Sequence, residues 1–356
     1  MAQAPLRVVS FGLGPIGCRV IRCLQERRGF VLVAAVDPQP VLAGQDVGRL
    51  VGLDHDLGVR VADNPEQVLL RTPADVAVVC TSSRVAEILP ALREIISAGL
   101  NVVTTCEELA YPWASAPEAA HELDLAARAS GVSVLATGVN PGYLMDFFPL
   151  TVSGLCQQVE RVQVERIQDA SARRLPFQRK IGAGLSPAEF ERKLAAGGFG
   201  HVGLRESAHM LATALGFSLK QIEEIVAPVL ATKTVRSPEV VVKAGLVAGI
   251  RQVAVGRDEA GVERIRLEFQ AAIGQAEPCD RVRIDGVPPL EVLFPGGVNG
   301  DVATAAIVVN AMPAIRRAPA GLLTMADLAL HWRPDAGEKQ KAEIGKAEIN
   351  QACHFR

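Results

Sequence analysis

The residues whose types and spacing could do chemistry fall in a few short stretches. Gly12-Leu13-Gly14-Pro15-Ile16-Gly17 has the spacing G-x-G-x-x-G and stands directly after the β-rich run Arg7-Val8-Val9-Ser10-Phe11 and ahead of a helical pattern. In that setting the motif cradles a pyrophosphate: Gly12 permits the tight turn, Gly14 removes the Cβ that would meet the phosphate, and Gly17 lets the helix pack closely on its strand. The helix start adds free N–H groups and the positive end of its dipole. The second β-rich run, Val31-Leu32-Val33-Ala34-Ala35-Val36, ends at Asp37, about 20 residues past the motif, where a carboxylate can accept from the ribose diol of a dinucleotide. This favours NAD. The following Pro38-Gln39-Pro40 offers no arginine to a 2′-phosphate, while Arg49 and Arg60 lie farther on, so NADP is disfavoured but open.

Hydride exchange with a carbonyl or imine carbon needs, besides the coenzyme, a group that moves protons. Thr104-Thr105-Cys106-Glu107-Glu108 closes a strand beginning at Asn101, so one of the adjacent carboxylates is expected to project into the nicotinamide crevice. There it could position ammonia, take its proton and help expel water. Both glutamates equally suit the first turn of a following helix. Thr81-Ser82-Ser83 follows the strand Val76 to Cys80; its hydroxyls could line the coenzyme or cap the next helix. Thr137-Gly138-Val139-Asn140-Pro141-Gly142-Tyr143 follows the strand Ser133 to Ala136 and fits a floor for the nicotinamide, with Asn140 bonding either the carboxamide or its own turn before Pro141. Tyr143 and Met145, within an apolar and aromatic cluster, could face a substrate or fill core. Asn299 and Thr304, at a glycine-rich loop meeting a helix, are further pocket candidates, and Asp301 there could serve only as an N-cap.

The elements that must position these residues follow from periodicity. From Leu6 to about Ala136 short β-rich runs alternate with helical stretches at Ile16 to Arg27, Val85 to Ala98 and Pro117 to Ser130, with Gly99 and Gly131 just past the last two. The alternation predicts a parallel doubly wound sheet in an N-terminal dinucleotide-binding domain, residues 1–149. β-rich stretches at Val159 to Gln168, Val240 to Gly256 and Val262 to Ile273, with helical segments at Pro187 to Leu194 and Ser207 to Leu215, predict an α+β domain on a mostly antiparallel sheet, residues 150–300. A helical segment in 301–334 should pack back on the first domain, and residues 335–356 read as a polar tail.

Bulk composition narrows the partners. The chain has 356 residues, 49% hydrophobic and 21% charged, as in ordinary globular proteins. A net charge of −2 supplies no field for nucleic acid or anionic lipid. No apolar run has the length to span a bilayer, and Met1 to Arg7 leads into a strand, so a cytoplasmic protein acting on small molecules is expected. The seven cysteines contain no C-x-x-C pair, and His55, His121, His201 and His209 stand isolated. No metal site is expected; Cys80 and Cys106 read as packing or supporting residues.

Taken in order, Gly12-Leu13-Gly14-Pro15-Ile16-Gly17, Thr105-Cys106-Glu107-Glu108-Leu109, Thr137-Gly138-Val139-Asn140-Pro141-Gly142 and Gly300-Asp301-Val302-Ala303-Thr304-Ala305 through Gly321-Leu322-Leu323-Thr324-Met325 resemble the dihydrodipicolinate-reductase-like group that includes 2,4-diaminopentanoate dehydrogenases and native NAD(P)H-dependent amine dehydrogenases. The resemblance spans about Leu6 to Leu328. It implies reductive amination of small, mostly apolar ketones or aldehydes with ammonia, and the reverse deamination of amines. It implies that Glu108 handles ammonia and the protons with Glu107 as helper, and that the protein is a homodimer built through the second domain's sheet; Cys106, next to them in sequence, is a further candidate to line the coenzyme. The His-His pair and Lys-x-Asp-x-Pro-Ser-Gly-Thr segment of dihydrodipicolinate reductases are missing, which disfavours that reaction. A diaminopentanoate dehydrogenase and a catalytically silent dinucleotide sensor are the rival expectations.

Overall fold

The computed structural model describes residues 4–197 and 199–332; the expected polar tail at 335–356 lies outside them. The chain runs β1 (Leu6–Phe11), α1 (Pro15–Gln25), β2 (Phe30–Val36), α2 (Val47–Leu50), β3 (Val61–Ala62), α3 (Pro65–Arg71), β4 (Val76–Val79), α4 (Val85–Ser97), β5 (Asn101–Thr104), a 3₁₀ turn Glu107–Ala110, α5 (Pro117–Ser130) and β6 (Ser133–Ala136). Then come α6 (Phe147–Ser153), β7 (Gln158–Asp169), α7 (Leu175–Lys180), α8 (Pro187–Ala195), α9 (Leu204–Leu215), β8 (Leu219–Leu230), β9 (Val235–Arg236), β10 (Val241–Val242), β11 (Val247–Asp258), β12 (Glu263–Ala272), β13 (Cys279–Val287) and β14 (Leu290–Pro295). Finally α10 (Gly300–Ile315) and β15 (Gly321–Leu323) return to the first sheet.

That first sheet has the order β15-β6-β5-β4-β1-β2-β3, and every pairing in it is parallel. Its central strands are apolar and buried along their length, as a sheet covered on both faces requires. This is a Rossmann-type layer. Helix α1 starts on Pro15 and buries Val20, Ile21 and Leu24, and α5 stops at Gly131, whose φ of 67° only glycine adopts without strain. Helix α10 is apolar all round and is correspondingly buried, with Val308, Val309, Met312 and Ile315 packed among strands of the first sheet.

The second sheet has the order β14-β13-β7-β12-β11-β8 and is antiparallel except where β12 meets β7. One face packs on Leu204, Ala208 and Leu211 of α9, forming a separate core with Ile265, Leu267 and Val164. The expected strand Val240 to Gly256 is divided into β10 and β11 by a turn at Gly245, where φ is 83°. Strand β15, added parallel to β6, was not foreseen, since three residues are too few to show a period. Among the described residues no helix is long and apolar enough to cross a membrane, and no His, Cys, Asp and Glu cluster could hold a metal ion.

The domains are fastened together beside the cavity. Asp146, fully buried, accepts from Gly142 N at 2.7 Å in the loop after β6 and from Ser207 Oγ at 2.8 Å on α9. Burial pushes its carboxyl pKa up against those donors. The guanidinium of Arg166 on β7 donates to Asp280 Oδ1 on β13 at 2.9 Å and to Val298 O at 3.1 Å, while Val298 N donates to Asp280 Oδ2 at 2.7 Å. That buried pair holds the loop that leads into α10.

Candidate active site

A cavity of about 420 Å³ opens at the carboxyl ends of β4, β5 and β6, where open α/β sheets bind ligands. Gly14, Pro15 and Ile16 form one side and the second domain the opposite side. The glycine turn is built as its spacing predicts. A Cβ on Gly12 would meet Cys80 O at 2.7 Å and one on Gly17 would meet Gly12 O at 2.0 Å, whereas Gly14 has no neighbour within 4 Å. Gly12 and Gly17 therefore serve close packing, and Gly14 keeps room for a ligand. Helix α1 opens toward that room with no side-chain cap and no acid in its first turn, leaving its N–H groups and dipole for an anion.

Asp37 ends β2 and is buried; its Oδ2 accepts from Leu13 N at 2.7 Å and its Oδ1 from Gln39 N at 3.0 Å. Its carboxylate thus ties the glycine turn to the loop after β2, with lone pairs left over. Thr81 and Ser82 line the cavity, and Ser82 Oγ also accepts from Arg84 N at 3.1 Å and bonds Glu87. Ser82 thus lines the cavity and ties the turn ahead of α4, but the cap position of that helix is Arg84 and neither Ser82 nor Ser83 caps it.

At the cavity floor Thr137 Oγ1 and Asn140 Oδ1 are buried without hydrogen-bond partners among the described residues. Such orphans are uncommon unless a ligand completes them, and a carboxamide has a donor and an acceptor to offer. Asn140 Nδ2 lies 3.0 Å from His201 Nε2, so the imidazole accepts there and the amide oxygen is left over. His201 stacks on Phe269 with centroids 4.6 Å apart, and Gln252 grips its backbone by His201 N to Oε1 at 2.9 Å and Nε2 to His201 O at 2.7 Å. Burial, reinforced by Lys180, Arg166 and Arg173, drives the His201 pKa down to about 3, so the ring is neutral. Pro141 and Thr304 also line the cavity, and Thr304 Oγ1 accepts from Val139 N at 3.2 Å to steady the floor.

The adjacent glutamates diverge. Glu107 lines the cavity together with Thr105 and Cys106. Glu108 does not: its Oε1 lies 2.6 Å from Arg84 Nη1 and its Oε2 accepts from Val85 N at 2.9 Å, at the start of α4. The carboxylate expected to face the reacting carbon is thus engaged with a helix end, and its neighbour takes the cavity position. The thiols of Cys106 and Cys80 are pushed up to about 12 by burial, which leaves them protonated and unreactive.

Other expected pocket residues are placed elsewhere. Met145 is wholly buried in the second domain's core, and Tyr143 packs against Phe147 with ring centroids 5.4 Å apart; neither lines the cavity. Asn299 caps α10 by accepting from Asp301 N and Val302 N at 3.1 Å and borders an adjoining hollow. In their place the second domain presents Arg166, Arg173, Arg174 and Lys180 together with His201, Phe177 and Phe269. The far wall is cationic and aromatic, not mostly apolar. No local motif marks these residues, because only the pairing of β7 with β12 and the fold of α7 gather them.

The site and scaffold define a Rossmann-type nucleotide-binding domain joined to a mixed-sheet domain of the dihydrodipicolinate-reductase-like class. The model of the dihydrodipicolinate reductase N-terminus matches residues 6–106, and that of the 2,4-diaminopentanoate dehydrogenase C-terminal domain matches residues 143–341. The chain is 31% identical over 329 residues to a 2,4-diaminopentanoate dehydrogenase of Acetoanaerobium sticklandii, covering 91% of this chain and 93% of that one. It is 25% identical to an amine dehydrogenase of Streptomyces virginiae over 93% of this chain and 98% of that protein. The solved structure of an amine dehydrogenase from Mycobacterium smegmatis superposes with a TM-score of 0.83 at 26% identity, covering 94% and 99% of the two chains. The protein belongs to the 2,4-diaminopentanoate dehydrogenase family.

Proposed function

We propose that the protein is an NAD(P)-dependent amine dehydrogenase in which Glu107 manages the protons of ammonia. The observation that carries this is one cavity bringing together the open Gly14 turn, the orphaned Thr137 Oγ1 and Asn140 Oδ1, and the Glu107 carboxylate. The overall change converts a ketone or aldehyde, ammonia, reduced coenzyme and a proton into an amine, water and oxidised coenzyme. A nicotinamide coenzyme bound along α1 supplies the hydride. Gly14 admits its diphosphate, Asp37 receives its ribose hydroxyls in a manner that favours NAD, and Asn140 and Thr137 hold its carboxamide. Glu107 accepts a proton from ammonia as nitrogen attacks the carbonyl carbon, then returns a proton to the departing hydroxyl of the carbinolamine. Glu108 holds the turn by bonding Arg84 and Val85 N, which fixes the direction in which Glu107 points. A homodimer through the second sheet is part of this proposal and is tested by sedimentation.

A second reading, favoured by Lys180, is an amino-acid substrate such as a diaminopentanoate. Lys180 lines the cavity and makes no ion pair among the described residues, so a substrate carboxylate would find a cation beside Phe269 and His201. A spectrophotometric screen of alkylamines, diamines and amino acids with both coenzymes tests the proposal. Turnover of amines supports it, preference for carboxylate-bearing amines selects the second reading, and turnover of none with retained NADH binding leaves only a dinucleotide sensor.

A further inference from the structure

The coenzyme side of the cavity is closed by cations from the other domain. Arg173 and Arg174, in the turn between β7 and α7, line the cavity with Gly14, Pro15 and Ile16, and the same arginines border the adjoining hollow with Pro15 and Arg19. They share one carboxylate: Asp301 Oδ1 is 2.9 Å from Arg173 Nη2, and Asp301 Oδ2 is 3.6 Å from Arg174 Nε. Among the described residues one positive charge is therefore left without a counter-ion, directly across from an uncapped helix start. The Nε atoms of both arginines are buried without hydrogen-bond partners among the described residues.

The two arginines are held differently. Arg173 stacks on Phe177 at 4.0 Å, and a Cβ on Gly300 would meet its Nη1 at 3.0 Å, so Gly300 is what gives this guanidinium its room. It is fixed. Among the described residues the Arg174 side chain is held only by the longer contact to Asp301, and it is 35% exposed. It is free to turn toward an anion at α1.

We infer that Arg174, backed by Arg173, is a clamp from the second domain for the diphosphate bridge of the dinucleotide. The inference rests on the proposed coenzyme reading and adds to it that the coenzyme is gripped by both domains. A guanidinium suits a diphosphate because its planar fork can donate to two oxygens at once. The coenzyme thereby becomes a tie between the domains, which favours its binding ahead of the substrate.

The test compares the parent with Arg174→Met and Arg174→Lys, using NADH fluorescence for Kd, competition by ADP-ribose and by adenosine, and a salt series. The expected result is that Arg174→Met weakens NADH and ADP-ribose by about tenfold or more, leaves adenosine unchanged and flattens the salt dependence, with Arg174→Lys in between. An NADH Kd within about twofold of the parent overturns the clamp, as does an unchanged NADH Kd with a raised KM for a carboxylate-bearing substrate. A parent that binds neither NADH nor ADP-ribose instead sinks the coenzyme reading itself. Melting temperatures confirm that the variants fold.

Discussion

Glu108 and Arg84 are paired at 2.6 Å, joining the 3₁₀ turn to the start of α4. With Val85 N bonded to the other carboxylate oxygen, Glu108 serves α4 as a cap supplied from outside the helix. Arg84, at the cap position, has no side-chain bond of that kind to give.

Glu108→Gln keeps the shape but loses the charge that suits both the helix end and Arg84. The expected cost is about 1 kcal/mol of stability. Turnover should fall by less than about tenfold, since Glu107 remains in the cavity. Thermal melting and steady-state kinetics on one preparation check both numbers.

Asp280→Ala removes the partner of a guanidinium whose side chain is 3% exposed. Burial pushes Arg166 down and Asp280 up, each toward its neutral form, and their attraction opposes this. Stranding Arg166 should cost about 3–5 kcal/mol and loosen Val298, and with it the entry to α10. Urea unfolding measures the loss, and an effect below about 1 kcal/mol would show that the loop is held by other contacts.

The pH dependence of stability should carry the mark of His201. Its folded pKa near 3 lies below the ordinary 6.5. As pH falls below 6.5 the unfolded chain takes up a proton that the folded one refuses, so stability drops toward pH 3 by at most about 1.4 kcal/mol per unit and is unaffected above 6.5. His201→Gln, which keeps an acceptor for Asn140, should flatten that acid limb in melting curves taken from pH 7 to pH 4.

The first domain was legible because its signals are local. The turn at Gly12 to Gly17, the acid at Asp37 and the helix stops at Gly99 and Gly131 depend on backbone conformations that neighbouring residues dictate. Glu107 and Glu108 were not separable, because adjacent positions on a 3₁₀ turn point about 120° apart and only packing against α4 decides which faces inward. The strands β8, β13 and β14 were missed: β8 breaks its alternation at Lys220-Gln221 and Glu223-Glu224, whereas β13 and β14 do alternate and were legible as half-buried strands. Lys180, Arg174 and His201 reach the cavity through β7 pairing with β12 and α9 packing beneath β11, contacts that sequence spacing does not encode.

The most direct measurement is the amine-forming kcat of Glu107→Gln beside Glu108→Gln, with NADH affinity and melting temperature as controls. Glu107→Gln should lose about 10²- to 10⁴-fold in kcat while still binding NADH and folding, and Glu108→Gln should lose far less. The reverse order, or a Glu107→Gln enzyme within a few-fold of the parent, would contradict the assignment of proton transfer to Glu107.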